Sequence, residues 1–547
     1  MKYTQFKSFA IAIGLAALSC SVQAQKIEDA LKAINYEQFD KAKGILNKLN
    51  SPEASFLLGD VYLRQGTIDS ARLNFVKINV ASPYAAIGTA LLAGSDGNLA
   101  QANSDLAKAL TLSGKDYQAL LETGKAYLDL PGNAVQNGNK ALAVLNKAAA
   151  LKNKDEQVYL AMGDANLKMI NGGEAARNYE QAKSVNPSSA EPYAKLAKLY
   201  RQARNAVVSL QNVNQGLAKD PKYGPLYREE AETFRAADKY SNAVSAYEKY
   251  MSLTDLSISS RERYIQFLYL ADNFEKANQE LSALKLKVKD FNKFPFLYRL
   301  DAISDYELGI KSQDKAKLAA GLASMNQLFA LKTVKPLAID YAYLGKLQAA
   351  NGNDSLAIQT FEKAIAQDSS SSDELNAALV KAYLANKNYK AAGNLYSKMV
   401  EHGDTSLANY TYAGIYTYFG QATLPNPDTI LLRKADKYLA VVNKKDSVYI
   451  PAYIYRAYIN GMFDKDTKTG AAEPYYQKII SLATSDPKFK QQVLTNPTSK
   501  KYLITAYEYM LYYDFQKNQK AAAREQAEKL LAIDPKNEHA EALLKQK

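Results

Sequence analysis

Apolar positions recur with a period near 3.6 along most of the chain, in paired short stretches split by polar or glycine turns. Between Glu156 and Thr254 three consecutive segments share one longer period. Tyr159, Tyr193 and Tyr227 lie 34 residues apart, and so do Gly163, Ala197 and Ala231. Asn171-Gly172-Gly173 marks a turn inside the first segment, and Pro187 and Pro221 close the first two. Each segment therefore predicts two short antiparallel helices.

The same spacing returns elsewhere. A small residue is followed twelve positions later by alanine, and four beyond that by an aromatic, at Gly59-Ala71-Phe75, Gly163-Ala175-Tyr179, Ala231-Ala243-Tyr247 and Gly345-Ala357-Phe361. Ala392 and Tyr396 repeat the last two terms. One segment departs: Ser209 and Val213 stand where alanine and an aromatic are expected, which predicts a looser helix pair there.

This pattern resembles the tetratricopeptide repeat family. The resemblance implies an all-α fold, a right-handed superhelical solenoid of about a dozen helix–turn–helix repeats. Small residues would let the two helices of a repeat cross closely, the aromatic would fill the space beside them, and proline would end the unit. The solenoid would span residues 25–547, with its clearest repeats at 52–85, 156–189, 190–223, 224–257, 338–372 and 373–407. Residues 408–547 read as degenerate repeats with insertions, Thr484 to Lys500 as a connector and Asn537 to Lys547 as a polar terminal helix.

The resemblance also implies a function, the binding of partner proteins on the concave surface lined by first helices. Counted through the repeats, Lys198, Arg201, Arg228 and Arg235 face that surface and form one candidate peptide-binding basin, opposed by Glu191 and Glu232. Arg228 and Arg235 are seven residues apart and share a helix face. The family's clamp for C-terminal carboxylates uses asparagines at positions held here by Asp164 and Lys195, so that clamp is not expected.

The N-terminus changes the setting. Lys2 and Lys7 precede an apolar run from Phe9 to Leu18, and Val22-Gln23-Ala24 offers small residues for cleavage between Ala24 and Gln25. Residues 1–24 read as a cleaved signal peptide of an exported bacterial protein, placed in the periplasm or cell envelope. Ten apolar residues are too few to span a bilayer of roughly 30 Å, and no later stretch suffices. Lipidation at Cys20, the single cysteine, is the competing reading; Ala17-Leu18-Ser19 fits it poorly, because the leucine usually sits one place earlier.

Candidate chemistry is sparse. Of the two histidines, His402 sits where a second helix should end and His539 lies in the polar terminal helix. Neither has the clustered partners of a zinc site. Asp464-Lys465-Asp466-Thr467-Lys468-Thr469-Gly470 imitates a calcium loop, but Lys468 holds a ligand position. No phosphate-binding glycine loop is present. An enzyme, a metal and a cofactor are not expected. The net charge of +13 is spread thinly, with no dense basic stripe for nucleic acid. The 40 tyrosines and absent tryptophan fit the aromatic slots of the repeats. The charge and the tyrosines leave one alternative, an anionic envelope polymer (polysaccharide or lipid headgroup) as ligand.

Overall fold

The computed structural model describes residues 24–288, 290–368 and 372–545, and helices dominate them throughout. Residues 1–23, with Cys20 and nearly all of the expected signal peptide, lie outside the described residues, and Ala24 and Gln25 open the first helix. The chain divides into two units, Met1–Ser304 and Asp305–Lys547.

In unit 1, α1 (24–35) pairs with α2 (Phe39–Leu46), α3 (Pro52–Arg64) with α4 (Ile68–Phe75), and α5 (Pro83–Ser95) with α6 (Leu99–Ser113). Next come α7 (Tyr117–Asp129) with α8 (Ala134–Leu151), α9 (Glu156–Lys168) with α10 (Gly172–Val185), and α11 (Glu191–Gln202) with α12 (Ala206–Lys219). The seventh and eighth pairs are α13 (Gly224–Ala236) with α14 (Tyr240–Leu253) and α15 (Ile258–Leu270) with α16 (Phe274–Lys285). The helices α17 (Pro295–Ser312) and α18 (Lys315–Ala330) follow. Unit 2 continues with α19 (Ala338–Ala350), α20 (Asp354–Gln367), α21 (Ser372–Ala385), α22 (Tyr389–Glu401), α23 (Leu407–Ala422) and α24 (Thr429–Lys445). It ends with α25 (Ile450–Phe463), α26 (Glu473–Ser485), α27 (Pro487–Thr495), α28 (Pro497–Gln516), α29 (Lys520–Ile533) and α30 (Glu538–Lys545).

Local chemistry sets the helix ends. Ser51, Asn98, Asp116, Asn133 and Asn205 each accept a first-turn backbone N–H through the side chain. The turn inside many pairs is closed by one residue in the left-handed region, glycine at Gly66, Gly97 and Gly352 but Glu37, Ile170, Arg204 and Asp238 elsewhere.

Packing inside a pair follows from a missing side chain. A Cβ placed on Gly163 would lie 2.3 Å from the Tyr179 ring; the same construction on Gly59 meets Phe75 at 2.3 Å, and on Gly345 meets Phe361 at 2.7 Å. The aromatic thus sits where the glycine side chain would be. Ala71, Ala175, Ala243 and Ala357 are fully buried beneath it. Ala231 and Tyr247 are buried in the third variant of the pattern.

Two expectations are corrected. The pair containing Ser209 is not left loose: the Ser209 hydroxyl donates to the Ala197 carbonyl at 2.9 Å and lies 2.8 Å from the Thr233 hydroxyl, both buried. A buried hydrogen bond across the pair stands at the alanine position, and the fully buried Val213 fills the aromatic's place. The stretch from Thr484 to Lys500 is largely helical, because Asp486 caps α27 from Phe489 N–H, Pro487 suits the first helical turn, and Phe489 is buried.

Unit 1 closes on itself. The α1–α2 turn reaches across 156 to more than 200 residues to the sixth and seventh pairs. Asn35 donates to Glu191 at 3.3 Å, the Tyr36 hydroxyl donates to Asp220, and Asp255 N–H donates to the Glu37 carbonyl at 3.0 Å. The first turn of the superhelix is therefore a ring with its own interior.

Candidate functional site

The ring encloses a cavity of about 870 Å³. Its charged lining follows a rule set by helix geometry. In four first helices the residues one and five positions after the small packing residue face inward: Asp60 and Arg64, Lys125 and Asp129, Asp164 and Lys168, Lys198 and Gln202. One helical step turns about 100°, so the neighbour of a residue buried against the second helix looks into the ring, and the residue four further on lies one turn along the same face. Among these four helices the charge at the first of the two positions alternates, from Asp60 through Lys125 and Asp164 to Lys198.

Most of these charges are settled internally. Arg64 Nε donates to Asp60 at 2.8 Å, Lys125 pairs with Glu122 at 3.1 Å, and Lys195 Nζ donates to Asp164 at 2.6 Å. Asp164 also accepts from the Tyr179 hydroxyl at 2.8 Å, which ties the lumen to the packing of the pair. Lys168 donates to the carbonyls of Leu128 and Leu130. Glu191 accepts from Gln157 at 2.8 Å. Asp129 and Lys198 make no hydrogen bond or ion pair among the described residues. Burial, reinforced by Asp60, raises the Asp129 carboxyl to about 6. Burial and the neighbouring Lys195 lower the Lys198 ammonium. Burial opposes the Lys195 charge as well, but Asp164 and Glu191 prevail and raise it.

The four candidate cations do not converge equally. Lys198 and Arg228 share a second cavity of about 230 Å³. Arg201 is held by Glu229 at 2.9 Å, and Glu229 is buried beside Arg228. Arg228 is bonded by Glu37 of the first pair. Arg235 is tied to Glu232 at 3.1 Å, and Glu232 also receives Nε of Arg263 at 2.6 Å. Sequence reasoning missed Arg64, Asp129 and the return of Glu37. The first two carry a legible signal, five positions after Gly59 and Gly124. Glu37 carries none, because its partner lies 191 residues away.

The small residue roofed by an aromatic, the 34-residue period and a lumen lined by first helices now stand together. Together they make an all-α solenoid of repeated helix pairs like those of tetratricopeptide-repeat proteins. The solenoid is similar to the C-terminal part of a TPR repeat-containing protein from Cytophaga hutchinsonii, at 27% identity and a TM-score of 0.37 over 52% of this chain and 99% of that one. It is similar to a tetratricopeptide repeat protein from Parabacteroides merdae at 17% identity and a TM-score of 0.31, over 49% and 98%. It is also similar to pilF of Pseudomonas aeruginosa at 17% identity and a TM-score of 0.27, over 39% and 97%. No family model and no curated protein matches the chain.

Outside the lumen, His402 Nδ1 lies 2.7 Å from the Lys398 carbonyl at the end of α22. Asp464 accepts backbone N–H bonds from Thr469 and Gly470 at 2.8–3.1 Å, so its carboxylate organises the loop itself. Among the described residues no helix is long and apolar enough to cross a membrane.

Proposed function

We propose that this tetratricopeptide-repeat protein is a non-enzymatic binding scaffold of the bacterial cell envelope, and that the unit 1 lumen receives a segment of a partner protein. Asp129 and Lys198 carry this reading: in a lumen whose other charged groups are ion-paired or hydrogen-bonded in place, one acid and one base are left facing the cavity. A peptide that sets a base toward Asp129 and an acid toward Lys198 matches them. A volume of about 870 Å³ accommodates a short extended segment. The leader in residues 1–24 supports export, and N-terminal mass spectrometry of the native protein is expected to read Gln25; a diacylated peptide from Cys20 would place the protein on a membrane instead.

The lumen reading is tested with a photo-crosslinking residue at Gln202, applied to envelope fractions. A protein adduct that vanishes in Lys198→Glu is expected, together with a thermal midpoint close to that of the parent chain, since Lys198 is in no ion pair. Exposed charges are screened beyond a Debye length of about 8 Å at physiological ionic strength, so capture should fall as salt rises. Capture of glycan alone would favour an anionic polymer as ligand, and capture insensitive to Lys198→Glu would remove the lumen from consideration.

A further inference from the structure

The contact that closes the ring has the form of a ligand in a binding site. Glu37 uses both carboxylate oxygens: Oε1 accepts from Arg228 Nη1, and Oε2 accepts from the Tyr250 hydroxyl at 2.6 Å. The Arg228 guanidinium stands 5.6 Å above the Tyr250 ring, and burial together with Glu37 raises the Tyr250 hydroxyl to about 12. A guanidinium and a phenol aimed at the two oxygens of one carboxylate make a selective acid site. Backbone groups complete it. Asp40 N–H donates to Asp255 at 2.7 Å, and the Gln38 side chain donates to the Leu253 carbonyl at 3.4 Å.

We propose that Arg228 and Tyr250 form a binding site for a carboxylate-bearing turn of a partner segment, and that Glu37 occupies it as an internal stand-in, which makes the α1–α2 pair a displaceable strap. The proposal rests on reading the ring interior as the binding surface, and it names how that surface is reached. Three observations support it. The first pair is held to α3 by apolar packing through the buried Phe39, Ala42 and Leu46, whereas its hold on the sixth and seventh pairs is mainly polar, with one ring contact of Tyr36 against Tyr223 at 5.1 Å. The Arg228 and Glu37 side chains are 36% and 20% exposed, so water can compete for their pair. The 230 Å³ cavity joins Arg228 to Lys198, so a segment that displaces Glu37 lies against the free ammonium of the lumen.

A strap of this kind stays attached when it opens, because α2 remains on α3. Its effective concentration at the site is then in the millimolar range typical of short tethers, and an outside acid competes poorly until the tethered carboxylate is weakened. Substitution of Glu37 should therefore help a partner bind. Without the strap, loss of Arg228 would be the damaging change.

The probe is a fluorescent synthetic peptide of residues 31–44 of this chain, which carries Glu37 in its native turn. Full-length protein in a Cys20→Ser background is the receptor. Glu37→Gln is expected to tighten probe binding about tenfold or more, the loss expected for a charge-assisted hydrogen bond of the competing strap. Arg228→Gln with Glu37→Gln should abolish that gain. Asp40→Cys with Asp255→Cys, oxidised to fasten the strap, should weaken the probe about tenfold and recover on reduction. Hydrogen exchange gives a readout that needs no ligand: in Glu37→Gln, residues 27–46 should exchange faster while 52–82 stay protected. Equal probe affinity in Glu37→Gln and the parent, or an oxidised lock without effect, would overturn the strap. Faster exchange at 27–46 without any Lys198-dependent capture would retain the strap and reject the lumen as partner site.

Discussion

Ile170 closes the turn between α9 and α10 at φ 62°, with 92% of its surface exposed. Glycine holds the equivalent place at Gly66, Gly97 and Gly352. A left-handed residue with a Cβ costs roughly 1–2 kcal/mol, and an exposed isoleucine regains none of it by burial. Ile170→Gly is expected to stabilise the protein by about 1 kcal/mol in denaturant titration, part of the relief being offset by the entropy of the unfolded glycine. At the same scale, burial and the nearby Asp116 and Glu122 raise the Glu53 carboxyl to about 7. The folded state then holds a proton that the unfolded state releases near pH 4.3, so stability falls as pH rises from there to about 7 and is level above it. Glu53→Gln should flatten that slope and stabilise the protein at pH 8 by about 2 kcal/mol, an order-of-magnitude value after allowance for solvent screening. Unfolding profiles of both proteins from pH 4 to 8 decide it, and an unchanged slope would mean that Glu53 ionises freely.

At the scale of elements, two kinds of close crossing are present. At Gly163 the obstacle to a side chain is the Tyr179 ring, which can tilt. At Gly393 it is backbone: a Cβ would meet Thr417 N at 2.6 Å and Cα at 2.9 Å, and the reciprocal Gly420 would meet Lys390 Cα at 2.8 Å. This pair of glycines lets α22 and α23 touch main chain to main chain. Overpacking typically costs 1–3 kcal/mol, so Gly163→Ala should sit near 1 and Gly393→Ala at about 3. Denaturant titration of Gly163→Ala and Gly393→Ala beside the parent protein gives the order, and the reverse order would mean that α22 and α23 slide apart more easily than a tyrosine tilts. The half-buried rings of Tyr389, Tyr396 and Tyr416 and the exposed ring of Tyr412, with centroids 5.2–6.3 Å apart, flank that crossing and explain part of the tyrosine excess as packing.

In a whole solenoid, a local injury is expected to fade over the neighbouring repeats. Ring closure in unit 1 breaks that rule in a defined way. Ala231→Leu would overpack the seventh pair, where Ala231 is fully buried. Hydrogen exchange should rise around residues 224–254 and again at 27–46, while the second to fourth pairs between them, 52–151, hold their protection. Loosening confined to 190–285 would show that the strap does not depend on the seventh pair.

The sequence by itself determined the repeats. Small residue, alanine and aromatic at fixed spacing specify a helix pair locally, and every contact they need lies within about twenty residues. The same spacing, counted one and five beyond the small residue, also specified which charges look inward, although only Lys198 of those eight lumen positions was singled out as a candidate. The fate of the candidate cations was decided by tertiary structure. Whether Arg228 is free depends on where α1 lies after six further pairs, which is the sum of many small rotations between repeats, and no spacing rule carries that sum. Glu37 reaches Arg228 because the turn of the superhelix closes there, and Lys198 remains open because nothing on the returning strap extends to it.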